Sequence, residues 1–166
     1  LKGLHEGKIA RSKGISLEEK DSILSKPMGL PPTGLYGLID LIGLDVMHSV
    51  GKNLATNLPD NDAGLPFTKL PSEEQNLFNN KQLGRKTGGG FYRIRKNNDG
   101  EKIKEVFNLE SESWETSKKE KADINGFNLI LEESLEGKYI WNVMGHSLLY
   151  AAGLIPEIAD DIVNID

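Results

Sequence analysis

The chain of 166 residues contains no cysteine. That absence removes disulfide frameworks, thiol nucleophiles and cysteine-ligated zinc or iron-sulfur centres from consideration. Histidine is scarce: His5, His48 and His146 stand far apart, none with a second histidine at the spacing that puts two metal ligands on one helix face. Basic charge is not in excess, with 25 acids against 20 bases and a net charge of -5, which argues against a dedicated nucleic-acid binder. Long hydrophobic runs are missing as well. The longest, Leu148 to Ile155, falls far short of the roughly 20 residues that span a bilayer, and no charged-then-apolar leader opens the chain. These absences point to a cytosolic protein with no membrane span and no nucleic-acid partner. The chemistry left open is that of carboxylates, histidine, hydroxyls, lysine or a bound group.

What is present begins with the two ends. Residue 1 is Leu, and Pro156 to Asp166 reads as the opening of an amphipathic helix, with Ile158, Ile162 and Ile165 on one stripe and no stop signal. The chain therefore reads as a piece of a longer protein.

Between the ends the pattern is mainly helical. Ser16-Leu17-Glu18-Glu19 has the form of a capping box and starts a short helix running to about Lys26. Pro27, Gly29, Pro31 and Pro32 force a non-helical connection. Leu35, Leu38, Ile39, Ile42 and Val46 then recur at helical spacing. Gly43 is suited to end that helix, and Asp45 to N-cap a second one carrying Val46, Val50, Leu54 and Leu58. Ser72-Glu73-Glu74-Gln75 reads as another capping box, opening a helix with Leu77 and Phe78 on its buried side. Strand-like residues on either side of Asn97-Asn98-Asp99-Gly100 predict one small β-hairpin over about 91–109. Residues 110–136 are charged and aperiodic, as in a linker or irregular wrap. From Lys138, the set Ile140, Val143, Met144, Ser147, Leu148 and Ala151 predicts a long apolar helix.

None of the constellations amounts to a catalytic set. Gly84-Arg85-Lys86-Thr87-Gly88-Gly89-Gly90 is not a P-loop, which needs glycine where Asn80 and Arg85 stand. Its glycines precede a strand, the reverse of a dinucleotide loop. Residues 81–96 nevertheless hold Lys81, Arg85, Lys86, Arg93, Arg95 and Lys96 and no acid, so either anion contact, through Arg85 and Lys86, or a tight turn with solvated charges is open. Asp40 and Asp45 read as capping or helix-end groups; acid-base work would require one of them to be desolvated. Tyr139, Trp141 and Tyr150 read as packing aromatics.

The run Gly29-Leu30-Pro31-Pro32-Thr33-Gly34-Leu35-Tyr36-Gly37-Leu38-Ile39-Asp40-Leu41-Ile42-Gly43-Leu44-Asp45-Val46 resembles a segment of the C-terminal helical domain of 3-hydroxyacyl-CoA dehydrogenases. Leu83-Gly84-Arg85-Lys86-Thr87-Gly88-Gly89-Gly90-Phe91-Tyr92 is similar to a second signature of that family, in the same order. Tyr150-Ala151-Ala152 and Pro156 to Asp166 resemble the start of a second such helical unit in longer bacterial members. The resemblance implies a mainly α, 3-hydroxyacyl-CoA dehydrogenase C-terminal-domain-like bundle with one hairpin. Residues 1–96 would form that domain, 97–137 a hairpin and irregular linker, and 138–166 the start of a second repeat. It also implies an NAD-dependent L-3-hydroxyacyl-CoA dehydrogenase of fatty-acid β-oxidation, with a His base stabilised by a carboxylate. The NAD-binding Rossmann domain and the catalytic residues would lie outside this chain, so no catalytic, cofactor-binding or metal-binding residue carries over. Pro31, Pro32 and Gly34 are expected nearest an acyl-CoA substrate. Gly34-Leu35-Tyr36 stands where many members have Gly-Pro-Phe. Partners implied are the Rossmann domain of the same polypeptide and a second copy in a homodimer. The rival reading is a non-catalytic helical interaction or anion-binding module.

Overall fold

The computed structural model describes residues 1–118 and 126–165. The element order is α1 (Lys2–Ser12), α2 (Leu17–Ile23), α3 (Gly34–Ile42), α4 (Leu44–Asn57), α5 (Ser72–Asn79), β1 (Tyr92–Lys96), β2 (Lys102–Asn108), β3 (Ser113–Thr116), α6 (Leu135–Ile140), α7 (His146–Gly153) and α8 (Ile162–Ile165). The fold is thus mainly α with one small sheet.

The capping box at Ser16 forms in both halves: Glu19 N–H donates to Ser16 Oγ at 3.0 Å, and Ser16 N–H to Glu19 Oε2 at 3.4 Å. Its counterpart at Ser72 does not. Pro71 occupies the N-cap position, and Ser72 Oγ instead accepts from Lys8 Nζ at 2.6 Å and donates to Glu73 at 2.7 Å. The reason is packing: this end of α5 lies against α1, whose Lys8 and Arg11 draw in Glu73. Asp45 is not an N-cap either. Gly43, at φ 109°, ends α3 and begins α4, and Asp45 falls in the first turn of α4, where it pairs with Lys86 Nζ at 2.5 Å. That position still suits a carboxylate, because the unpaired amides of a helix start attract negative charge.

Helix α1 has no counterpart in the periodicity of the sequence. Gly3 and Gly7 lower its helix propensity, but a Cβ at Gly3 would meet Leu35, and one at Gly7 would meet the Tyr36 hydroxyl, so both glycines let α1 lie close against α3. The hairpin turn forms as expected, with Asn97 Oδ1 accepting from the amides of Asp99 and Glu101 at 3.0 and 2.8 Å. The hairpin is joined by β3, giving a three-stranded antiparallel sheet in the order β1-β2-β3 where a linker was expected. Strand β3 holds a single large apolar residue, Trp114, whose ring meets Phe107 edge-on at 5.1 Å. One cross-strand aromatic pair stabilises such a pairing without leaving an alternating pattern. Of the rest of the expected linker, 119–125 lies outside the described residues, and Gly126–Leu131 forms a 3-10 helix that buries Leu129 in the core.

The long apolar helix begins earlier than Lys138, at Leu135, capped by Ser134, and runs through a π-turn at Trp141–Gly145 into α7. Its first part is buried, with Tyr139 and Ile140 at 3% and 0% exposure. Its second part is not: Leu148 and Leu149 face outward, and Trp141 and Tyr150 are also exposed, against the packing role expected of them. Pro156 does not open a helix. Turns follow it, and only Ile162–Ile165 is helical, with Asp161 accepting the amides of Val163 and Asn164. Ile158 and Ile162 are exposed, so the apolar stripe has no packing surface to hold a longer helix.

Two apolar clusters form the core. One joins Leu4, Tyr36, Ile39, Leu44, Leu77 and Phe91, tying α1, α3 and α5 to the sheet. The other joins Ala10, Ile15, Ile23, Met28, Tyr139 and Ile140, tying α1 and α2 to α6. Leu35 packs against both. The apolar stripe of α4 faces outward, with Val46, Val50 and Leu54 exposed.

A buried lysine lies between the clusters. Lys20 is fully enclosed; its Nζ donates to Gly7 O at 3.0 Å and sits 5.1 Å from the Tyr36 ring centre. Burial, aided by the nearby Arg11 charge, pushes its ammonium down to about 8 from an ordinary 10.5. The unfolded chain therefore holds this proton to higher pH than the folded one, and the Lys20 contribution to stability rises as pH climbs from about 8 toward 10.5. In Lys20→Met that rise is expected to flatten in urea titrations on either side of the window; an unchanged slope would assign it to other groups.

Candidate functional site

Three backbone turns meet at one surface, and two carboxylates hold them there. Asp21, on α2, accepts the Tyr36 and Gly37 amides at the start of α3, at 2.7 and 3.0 Å, and the Tyr92 hydroxyl at 3.0 Å. Asp40, near the end of α3, accepts the amides of Phe91 and Tyr92 at 2.8 and 2.7 Å. Tyr92 is thereby held at its backbone by one carboxylate and at its hydroxyl by the other. Asp40 is desolvated, as acid-base chemistry would require, and burial pushes it up to about 6 despite the two amides and the Arg85 charge that pull it down. Burial likewise pushes Asp21 up to about 6. Both carboxylates are nevertheless turned to the protein's own donors, so their roles are to position the turns.

The glycine segment closes on itself. Gly84 and Gly89 exchange both backbone hydrogen bonds at 3.1 Å, and the Thr87 hydroxyl accepts the Leu83 amide at 2.9 Å. Arg85 and Lys86 sit on the short 3-10 turn between them. Two of its glycines pack on Asp40: a Cβ at Gly84 would stand 2.5 Å from the Asp40 carbonyl, and one at Gly90 would strike its carboxylate.

These contacts leave two adjoining clefts, of about 650 and about 710 Å³, which share Pro32, Thr33, Tyr92 and Lys104. Lys104 Nζ lies 3.9 Å from the Tyr92 ring centre. Of the residues expected near substrate, Pro32 lines both clefts, Pro31 is exposed outside the lining, and Gly34 is buried beneath Asp21. Of the two expected anion contacts, Arg85 lines the first cleft, whereas Lys86 is bound to Asp45. Sequence reasoning missed Asp21, Tyr92 and Lys104, whose roles depend on contacts made far along the chain; the strand alternation that places Tyr92 and Lys104 on one face was the available signal.

The histidines serve local packing. His5 bonds the Lys69 carbonyl at 2.7 Å, His48 stacks on Phe78, and His146 meets Trp141 edge-on. Among the described residues no group of three or more His, Asp or Glu is placed to hold a metal ion, and no helix is long and apolar enough to cross a membrane.

A family profile described as the 3-hydroxyacyl-CoA dehydrogenase C-terminal domain matches residues 7–94, which contain every element around these clefts up to β1. The chain belongs to this family. As a 3-hydroxyacyl-CoA dehydrogenase C-terminal domain, it is 35% identical over 158 residues to a Rickettsia felis protein named as a fatty acid oxidation complex trifunctional enzyme; the match covers 95% of this chain and 22% of the relative. It is 30% identical over 164 residues to a Bacillus subtilis protein named as a 3-hydroxyacyl-CoA dehydrogenase, covering 92% of this chain and 20% of the relative. The dehydrogenase domain thus spans about a fifth of the length of the curated relatives it matches. No solved structure matches it.

Proposed function

We propose that this domain is the substrate-cleft wall of an NAD-dependent L-3-hydroxyacyl-CoA dehydrogenase acting in fatty-acid β-oxidation in the cytoplasm. The observation that carries the reading is the family match over residues 7–94, which ends on the strand that lines the clefts. In this reading the whole enzyme oxidises the 3-hydroxyl of an acyl-CoA to a ketone, and NAD is held by a Rossmann domain of the same polypeptide. The glycines of residues 84–90 do not fit NAD: they bond to each other ahead of a strand and do not form the strand-loop-helix cradle a dinucleotide needs. The part played here is therefore shape. Pro32 and Tyr92 supply the apolar wall, with Gly34 letting α2 and α3 approach beneath it, and Asp21 and Asp40 hold that wall rigid.

The division into residues 1–96, 97–137 and 138–166, the last as the start of a second helical repeat, belongs to the same proposal. So does packing of the exposed α4 stripe, Val46, Val50 and Leu54, on another domain or on a second copy in a homodimer.

The test is the oxidation of NADH by acetoacetyl-CoA. The 166-residue chain alone is expected to show no turnover, and a polypeptide extended to include the upstream domain is expected to show it. Turnover by the isolated chain, or none by the extended one, overturns the reading.

A further inference from the structure

The cations around the clefts differ in what they already hold. Arg93 and Arg95 both bind Glu105, with Nε to oxygen at 2.5 and 3.0 Å, and Lys86 binds Asp45. Among the described residues Arg85 and Lys104 form no ion pair, and both are exposed. Lys104 is nonetheless held in place, over a Tyr92 ring that Asp21 and Asp40 fix at its two ends.

Of the carboxylates lining the clefts, Asp40 and Asp21 are turned to the protein's own donors, and Glu18, half-buried in the second cleft, accepts the Lys118 amide at 3.0 Å. Asp40 is 3% exposed and gives its two oxygens to the Phe91 and Tyr92 amides; Asp21 is 7% exposed and gives its own to Tyr36, Gly37 and Tyr92. Because the clefts share Pro32, Thr33, Tyr92 and Lys104, they form one trough, with Arg85 in the first cleft, Lys104 at the junction and Lys102 and Lys118 in the second. A concave surface whose exposed charges are mainly cationic concentrates field and favours a polyanion. An unpaired guanidinium and an ammonium held on an aromatic floor suit phosphate oxygens, since Arg offers a fork of donors and Lys a point charge. Two unpaired cations lining one cleft suit a ligand with two linked anionic groups better than a lone carboxylate.

We propose that this trough binds a diphosphate ester, with Arg85 and Lys104 holding the two phosphates and Pro32 and Tyr92 supporting the attached groups. The inference rests on the acyl-CoA reading above for its source, because coenzyme A carries such a diphosphate; NAD is the other source with the same chemistry.

The experiment is calorimetric titration of the 166-residue chain with coenzyme A, NAD, ADP, pyrophosphate and phosphate-free pantetheine. Coenzyme A is expected to bind, pantetheine not, and added salt to weaken the binding. Arg85→Ala and Lys104→Ala, both at exposed positions, are each expected to weaken it about tenfold, the loss of one charge-assisted bond. Lys86→Ala, outside the trough, is expected to leave it unchanged. Binding of ADP and pyrophosphate through Arg85 and Lys104 without coenzyme A upholds the trough and overturns the acyl-CoA reading. NAD binding more tightly than coenzyme A upholds the diphosphate site and overturns coenzyme A as its source. Equal binding of pantetheine and coenzyme A, or an equal loss in Lys86→Ala, overturns the trough itself.

Discussion

Asp40→Ala is expected to lower the unfolding free energy by about 3 kcal/mol, because each buried amide left without an acceptor costs about 1–3 kcal/mol. The side chain is 3% exposed and accepts the amides of Phe91 and Tyr92, joining the start of β1 to α3 beside the edge-on Tyr36–Phe91 ring contact at 4.9 Å. Alanine orphans both amides and leaves space where the carboxylate met the glycine segment. Asp40→Asn keeps one acceptor and removes a charge that burial already disfavours, as the upward push to about 6 shows. It is therefore expected to cost less than alanine. Urea denaturation of the three chains at neutral pH measures the order. A loss in Asp40→Ala below about 1 kcal/mol, the size of one ordinary exposed contact, would mean that the sheet docks without this carboxylate.

Gly84→Ala is expected to be comparably damaging, at about 3 kcal/mol or more, from backbone strain and collision together. Gly84 has φ 123° and ψ -158°, a region closed to side chains, and its Cβ would lie 2.5 Å from the Asp40 carbonyl oxygen and 3.0 Å from the Asp40 Cα. Gly88 provides the control. It also has positive φ, 85°, but a Cβ there would meet nothing within 4 Å. Gly88→Ala is expected to cost only the left-handed penalty, about 1 kcal/mol. Equal losses at the two positions would show that dihedral strain alone, and not the approach of the glycine segment to α3, sets the requirement. Since Gly84 and Asp40 share one contact, the Asp40→Ala/Gly84→Ala pair should lose less than the sum of the single variants.

What could be read in the sequence follows from the range of the interactions involved. The corner at Gly43, the capping box at Ser16 and the turn at Asn97 depend on residues within a few positions of each other, and all three form. Helix α1 is invisible at that range because Gly3 and Gly7 are chosen for the side chains of Leu35 and Tyr36. Strand β3 rests on Trp114 alone, and the Ser72 capping box yields to Lys8 from another helix. The outward face of α4 shows a different limit: periodicity reveals an apolar stripe, but not whether anything covers it. In the candidate site, Pro32 and Arg85 stand out locally, whereas Asp21, Tyr92 and Lys104 acquire their roles only once α2, α3 and the sheet have met.

The two bonds that Asp40 accepts also bear on the order of folding. They join residues 51 and 52 positions apart, and closing a flexible loop of that length costs about 3.5 kcal/mol in chain entropy. The helical corner of α3 and α4, by contrast, is made of neighbours and meets no such barrier. The α3 end should therefore exist as a template before the glycine segment and β1 arrive on it. Docking of the sheet, and with it the appearance of the trough, becomes the late step on the route to the native state.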